Sequence, residues 1–118
     1  MITTSSASTI EHRFQQRMPL NMDVVIFRNH IPIAVGKIRD ISNGGMGIDS
    51  EIVNLKKFSL IEIEVGVNQS SNPAYHRLSG VVVHHHNNGF GILFSDLSAT
   101  DMVVLQQLML ERYPGYSQ

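Results

Sequence analysis

Cysteine is absent from this 118-residue sequence, and the net charge is only −1. Without cysteine the chain has no disulfide, no thiolate nucleophile and no cysteine-based zinc site. A net charge near zero lacks the basic excess that non-specific binding to nucleic acids normally requires. No apolar run approaches the roughly 20 residues needed to span a bilayer, so we expect no membrane insertion. Residues 1–9 lack the basic start and apolar core of a signal peptide, which predicts a cytoplasmic protein.

The remaining composition fits one globular domain. Hydrophobic residues make up 42% of the chain and charged residues 16%, a balance typical of folded proteins. A chain of this length can bury one modest core. Residues 1–10 are rich in serine and threonine and have little to bury, which predicts a mobile tail before a single domain at residues 11–113.

Runs of apolar and β-branched residues between turn residues predict six strands. In the run 58–67, apolar residues alternate with glutamates, as on a strand with one buried face. Asn29-His30 is typical of a turn, and Asn87-Asn88-Gly89 of a hairpin whose residues tolerate a positive φ. Residues 68–73 have the composition of a loop. The predicted strands are residues 22–27, 33–41, 46–49, 58–67, 75–86 and 90–94.

Near the C-terminus the apolar spacing changes to the helical period, which predicts a helix over residues 98–112. Ser98 and Asp101 occupy the capping-box positions at its start. Its apolar stripe should cover one end of the sheet. Six short strands and one terminal helix predict an all-β fold, a small antiparallel barrel at residues 20–95 with a C-terminal helix. The predicted stripe is Met102, Leu105, Leu108 and Met109, with Arg112 next in the series.

Two short motifs carry the polar chemistry. Arg13 and Arg17 lie four residues apart, and their guanidinium groups can bind phosphate with a planar fork of donors. Asp40, Ser42 and Gly45 belong to the segment Asp-Ile-Ser-Asn-Gly-Gly, whose carboxylate can accept from the N–H edge of guanine. Glycine there permits either a positive φ or the close approach of a ligand. Taken alone, the arginines fit a solvated tail and the second motif fits a β-turn.

In combination, Arg-x-x-x-Arg followed by Asp-x-Ser-x-x-Gly resembles the PilZ family of cyclic di-GMP receptors. The resemblance extends to Gly-Gly-Met-Gly-Ile after the second motif and to Gly-Phe-Gly-Ile-Leu-Phe at residues 89–94. It covers about residues 11–112. It implies a six-stranded barrel and an N-terminal arm, residues 11–19, that folds across the barrel face. The ligand-binding residues that it implies are Arg13, Arg17, Asp40, Ser42 and Gly45, with His12, Asn43, Gly44 and His84 as secondary candidates.

Two positions depart from the family pattern. His12 stands where the family often has a third arginine, so the arm carries one fixed charge fewer. His84 stands where many relatives have a tryptophan at the end of the fifth strand, and an imidazole stacks more weakly than an indole. Either departure can change the affinity or the number of ligands bound.

Other clusters give no support to a metal, a cofactor or catalysis. In the His-His-His run at residues 84–86, only the outer two side chains can face the same way on a strand, and zinc needs three or four ligands. Ser42 lacks the Gly-x-Ser-x-Gly setting of a nucleophile. Glu62 and Glu64 share a strand face, but a solvated outer face explains them. We therefore expect a binding protein rather than an enzyme.

The resemblance implies a receptor that binds cyclic di-GMP, changes the conformation of its arm and signals through a protein partner or by self-association. The Ser42 hydroxyl is expected to bind the ligand and to lie outside the core. Two alternatives remain open. One is a PilZ-like protein-interaction module that does not bind nucleotide. The other is an unrelated barrel that binds single-stranded nucleic acid, which predicts aromatic residues on a basic strand face.

Overall fold

In the described part of the chain, six antiparallel strands form a closed barrel, and one helix follows them. The computed structural model describes residues 17–51, 54–69 and 72–112. The strands are adjacent in the order β1-β2-β3-β6-β5-β4, and β4 closes the barrel against β1. This confirms the predicted fold class. The elements are β1 (Met18–Arg28), β2 (Ile31–Ile41), β3 (Gly45–Asp49), β4 (Leu60–Gln69), β5 (Asn72–His86), β6 (Gly89–Phe94) and α1 (Ala99–Arg112).

The core lies inside the barrel, where every strand contributes alternate side chains. On β4 the predicted alternation is confirmed, because Ile61, Ile63 and Val65 are buried while the two glutamates between them are half-exposed. Burial of this apolar surface is the main favourable term in folding. Side chains with no more than 2% of their surface exposed include Ile26, Ile38, Ile48, Ile63, Leu78, Phe90, Ile92 and Leu105.

Several strand boundaries differ from those that the sequence predicts. β1 begins at Met18, so Met18 and Pro19 pair with β2 instead of belonging to the arm. A strand edge tolerates proline, and β1 pairs with β4 only farther along, at Val25–Phe27. The predicted loop at residues 68–73 is wrong at both ends, since β4 continues to Gln69 and β5 starts at Asn72. Asn68 and Gln69 of β4 still pair with Pro73 and Asn72 of β5, although most residues of this segment are polar.

The turns also differ in detail from the prediction. Asn29 and His30 have φ values of 52° and 65°, which is the type I′ geometry that suits a twisted hairpin. The hairpin between β5 and β6 is present at Asn87-Asn88, but neither of these residues has a positive φ. The described part of the chain contains no helix with the length and hydropathy of a membrane span.

The predicted capping box of α1 is confirmed. The Ser98 N–H donates to Asp101 Oδ2 at 2.9 Å, and the Asp101 N–H donates to Ser98 Oγ at 3.0 Å. Asp101 Oδ1 also lies 2.5 Å from His76 Nε2, which ties the helix to β5. Burial alone would raise the pKa of Asp101, but the hydrogen bonds from Ser98 and His76 outweigh it and lower the pKa below 3.8.

The buried stripe of α1 is rotated from the predicted one. Leu105 and Leu108 are buried as expected, but Met102 is 37% exposed and Val104 is buried in its place. The helical spacing of residues 104, 105 and 108 gives one apolar face. Because α1 contacts β1 and β4, this face covers the barrel beside these two strands.

Candidate functional site

A β-bulge in β2 brings two successive side chains of the second motif to the outer face. The register between β2 and β3 shifts between Ile38 and Asp40, which leaves Arg39 as the extra residue. In a regular strand Asp40 would share the inward face of Ile38. The bulge re-aims the chain, so that the side chains of Arg39 and Asp40 both reach solvent, with 44% and 25% of their surface exposed.

Asp40 joins the two predicted motifs. Arg17 Nη1 donates to Asp40 Oδ1 at 2.8 Å, and the Gly47 N–H donates to the same oxygen at 3.1 Å. Asp40 Oδ2 lies 3.6 Å from Arg39 Nε, beyond hydrogen-bonding distance. One oxygen therefore holds Arg17 and the start of β3, while the other can still accept from a ligand.

Ser42 closes the loop between β2 and β3. Its Oγ accepts from the N–H groups of Gly44 and Gly45 at 3.2 and 3.3 Å, and the Ser42 N–H donates to the Gly45 carbonyl at 2.9 Å. Only 4% of Ser42 is exposed. The expectation that its hydroxyl lies outside the core is therefore wrong, because the hydroxyl is needed to satisfy the amides of a tight, buried turn.

Gly45 is required by strand packing. A Cβ added at this position would overlap the carbonyl oxygen of Ile92 on β6. No glycine in the described ranges has a positive φ, so that part of the expectation is wrong. The close approach that glycine allows here is to the β6 backbone.

A row of four residues crosses the outer face of β2, β3, β6 and β5. In this row Asp40 pairs with Gly47, Gly47 with Gly91, and Gly91 with His84. A Cβ on Gly47 would lie 2.9 Å from Asp40 Oδ1 and 3.0 Å from Arg39 Nη2, and one on Gly91 would collide with the His84 ring. We call these four residues the glycine row. Both glycines are buried, because the side chains of Asp40, Arg39 and His84 lie over them. The row has an acidic side chain at one end and an imidazole at the other.

His84 and His86 face the same side, as predicted. Their ring centroids are 6.0 Å apart, whereas His85 points away and contacts the Leu55 carbonyl. Arg39 Nη2 lies 2.9 Å from His86 Nε2 and Arg39 Nη1 lies 3.3 Å from Asp49 Oδ1. Burial lowers the pKa of His86 below 6.5, and the adjacent Arg39 guanidinium lowers it further. The described residues contain no cluster of three side chains suited to a metal ion.

The model of the PilZ domain family matches residues 11–111. The chain belongs to the PilZ family. A crystal structure of the PilZ domain of CeSA from a cellulose-synthesizing bacterium is similar to it with a TM-score of 0.63. The two chains are 13% identical, and the similarity covers 88% of this chain and all of that one. At this identity the likeness shows a shared fold. Comparison with curated protein sequences finds no significant match.

In this PilZ domain, several predicted site residues lie close together. Asp40 lies near the end of β2, and Gly45 starts β3, with Ser42, Asn43 and Gly44 in the loop between them. Arg17 lies immediately before β1 and reaches this segment through its contact with Asp40. His84 lies at the other end of the glycine row. His12 and Arg13 lie outside the described residues.

Four further residues of the site were missed by sequence reasoning, namely Arg39, Gly47, His86 and Gly91. The two glycines do carry a sequence signal, because a glycine inside a predicted strand often marks a close approach. Arg39 carries no such signal. In a regular strand its side chain would point to the face opposite that of Asp40, and only the bulge brings the two side chains to the same face. The position of His86 beside Arg39 depends on the order of the strands.

Proposed function

We propose that this PilZ domain is a receptor for cyclic di-GMP. The contact between Arg17 and Asp40 supports this proposal most directly, because it joins residues that are 23 positions apart in the sequence at one end of the glycine row. It brings a phosphate-binding group beside a carboxylate that can accept from guanine. PilZ domains are generally modules that bind this dinucleotide, and the chain has both family motifs.

The polar groups suggest separate roles for each part of the ligand. Arg13 and Arg17 are proposed to bind the phosphates and to stack on a guanine, since guanidinium planes do both. Asp40 is proposed to accept from a guanine N–H through Oδ2. Ser42 and Gly45 are assigned to shaping the loop, because the Ser42 hydroxyl already bonds two loop amides.

We propose that the domain acts as a switch and has no catalytic activity. Ligand binding would change the conformation of residues 11–17 and so alter the surface offered to a protein partner or to a second copy. The buried Ser42 hydroxyl supports the absence of catalysis, since it is bonded to loop amides and lacks the exposure of a nucleophile.

Binding of single-stranded nucleic acid is less favoured by the surface. Tyr75 is 71% exposed and lines a groove of about 810 Å³ on the outer face of the barrel, as a stacking residue would. The charged lining of this groove, however, consists of four carboxylates and one lysine, a combination that repels phosphates. These side chains are Asp23, Lys37, Asp49, Glu51 and Glu64.

Calorimetric titration of the full chain with cyclic di-GMP tests the proposal. Arg17→Ala should weaken binding about tenfold to a hundredfold, as expected for the loss of a charge-assisted contact. Arg28→Ala is the matched control, because Arg28 is also exposed and lies at the opposite end of β1. Wild-type protein that does not bind the dinucleotide would favour the interaction module instead. Equal affinities of the two variants would remove Arg17 from the site.

A further inference from the structure

Arg39 is the centre of a charged cluster beside the glycine row that neither family motif includes. Its guanidinium lies within 3.3 Å of a carboxylate oxygen of Asp49 and contacts both ring nitrogens of His86 at 2.9 and 3.3 Å. Its Nη2 would lie 3.0 Å from a Cβ on Gly47, so the guanidinium covers this glycine. The Arg39 side chain is therefore as close to Gly47 as the Asp40 side chain is.

The contact between Arg39 and His86 depends on the protonation state of the imidazole. A guanidinium is always charged and only donates, so His86 can accept from it only while one ring nitrogen lacks a proton. Protonation of His86 without an added anion would place two cations side by side. An anion between them would remove this repulsion and would accept from both groups.

The charges around His86 come from several strands. Arg39 on β2 and His84 on β5 disfavour its protonation, whereas Asp49 on β3 and a backbone hydrogen bond with Phe90 on β6 favour it. Lys37 lies in the same cross-strand row, but its Nζ points to Asp23 at 3.9 Å. The free protein is thus balanced toward a neutral His86 at pH 7, and one additional negative charge would shift that balance.

We propose that Arg39 and His86 bind an anionic group of the dinucleotide as a second contact point of the site, and that His86 takes up a proton when the ligand binds. This inference rests on the proposed function. A bound phosphate raises the pKa of His86 above its value in the free protein. The additional affinity is therefore complete below the free-state pKa and is lost as the pH rises through the bound-state pKa.

The test compares affinity for cyclic di-GMP at about pH 5.5 and about pH 7.5, on either side of an ordinary histidine pKa. Wild-type protein should bind about three- to tenfold more tightly at the lower pH, since one linked proton changes affinity at most about tenfold per pH unit. His86→Gln should abolish this difference. His30→Gln is the matched control and should retain the difference in affinity between the two pH values. His30 lies in the β1–β2 turn, its side chain is 83% exposed, and it pairs with Glu62 on β4.

Two other histidines need their own variants. If His12→Gln or His84→Gln removes the pH dependence while His86→Gln keeps it, the proton goes elsewhere and the inference is wrong. Proton NMR of the wild-type His86 ring gives a second measurement that does not depend on a variant folding. Its pKa should rise when cyclic di-GMP is added, and an unchanged value would overturn the proposal.

Arg39 has a separate readout. Arg39→Gln should weaken binding about tenfold and reduce its dependence on salt, since one screened charge contact is lost. Arg28→Gln, at an exposed position on the same barrel, should change neither. The inference is refuted, and the proposed function left intact, if the wild-type protein binds cyclic di-GMP equally tightly at both pH values and Arg39→Gln binds it as tightly as wild type. Absence of binding by the wild-type protein overturns both.

Discussion

Gly45→Ala should destabilise the barrel where β3 meets β6. The added Cβ would overlap the Ile92 carbonyl oxygen, and the Cα of Leu93 would lie 3.4 Å from it. Because these are backbone atoms in a paired strand, they cannot rotate away as a flexible side chain could, and the two strands must separate locally. Overpacking of this kind costs about 1–3 kcal/mol. For a domain of this size, each kcal/mol lowers Tm by about 4–8 °C, so Tm should fall by roughly 5–20 °C.

Gly66→Ala provides the matched control, since it makes the same change in another strand. A Cβ on Gly66 would meet only a ring carbon of Tyr75, at an ordinary contact distance of 3.8 Å. The smaller entropy of the unfolded chain should leave this variant unchanged or more stable by up to about 1 kcal/mol. Thermal unfolding of both variants by circular dichroism measures the difference. Equal melting temperatures would refute the argument that Gly45 is required by its distance from β6.

Three further predictions concern the loop, the helix and the arm. Ser42→Ala should cost about 1–3 kcal/mol in urea unfolding with an unchanged m value, because the amides of Gly44 and Gly45 lose their acceptor in a buried turn. The lowered pKa of Asp101 adds stability that is present above pH 3.8 and is lost as the pH falls through the folded-state pKa. When the pH falls from neutral to about 3, the free energy of unfolding of Asp101→Asn should therefore decrease less than that of the wild type. An equal decrease would contradict the conclusion that the pKa of Asp101 is lowered in the folded protein. Hydrogen exchange of residues 11–17 should slow when cyclic di-GMP is added, and unchanged exchange would exclude the arm switch.

Local patterns predicted much of the fold. The alternation around Ile63 and the capping pair Ser98 and Asp101 depend on neighbours in the sequence, so they could be recognised without the strand order. The prediction for Met102 was wrong because two apolar stripes share Leu105 and Leu108. One stripe includes Met102 and the other includes Val104, and the structure buries the second. The loop predicted at residues 68–73 failed because the ladder of β4 and β5 extends beyond the apolar pattern, and cross-strand pairing overrides composition there.

The site was less predictable because it depends on contacts between distant strands. Arg17 and Asp40 were recognised from their motifs. The cluster around Arg39, however, requires β3 to lie between β2 and β6, and β6 to lie beside β5. No local pattern encodes that order. The side of the barrel that Asp40 faces is also set by the register shift in β2, which single-residue propensities do not predict.

Two bulges explain how polar chemistry reaches the outside of a barrel without entering its core. In β2 the shift after Ile38 turns Asp40 outward, and in β5 the shift after Val82 turns His84 outward. In regular strands both polar side chains would share the inward face of buried apolar neighbours, at a large desolvation cost. Instead they stand at the two ends of the glycine row, where Asp40 lies over Gly47 and His84 lies over Gly91 because the two glycines have no side chains.

This arrangement also explains how the free protein can hold the proposed ligand-binding groups in place and still release them. The ion pair of Arg17 and Asp40 is partly exposed, at 40% and 25% of the side-chain surface. Exposed pairs of this kind contribute only about 0–1 kcal/mol. A hydrogen bond to a charged group in a bound ligand contributes about 1.5–3 kcal/mol. Under the proposed function, a dinucleotide that offered a phosphate to Arg17 and an N–H to Asp40 would replace this weak internal contact with two stronger ones. Until then, the internal contact would keep both groups near their proposed binding positions.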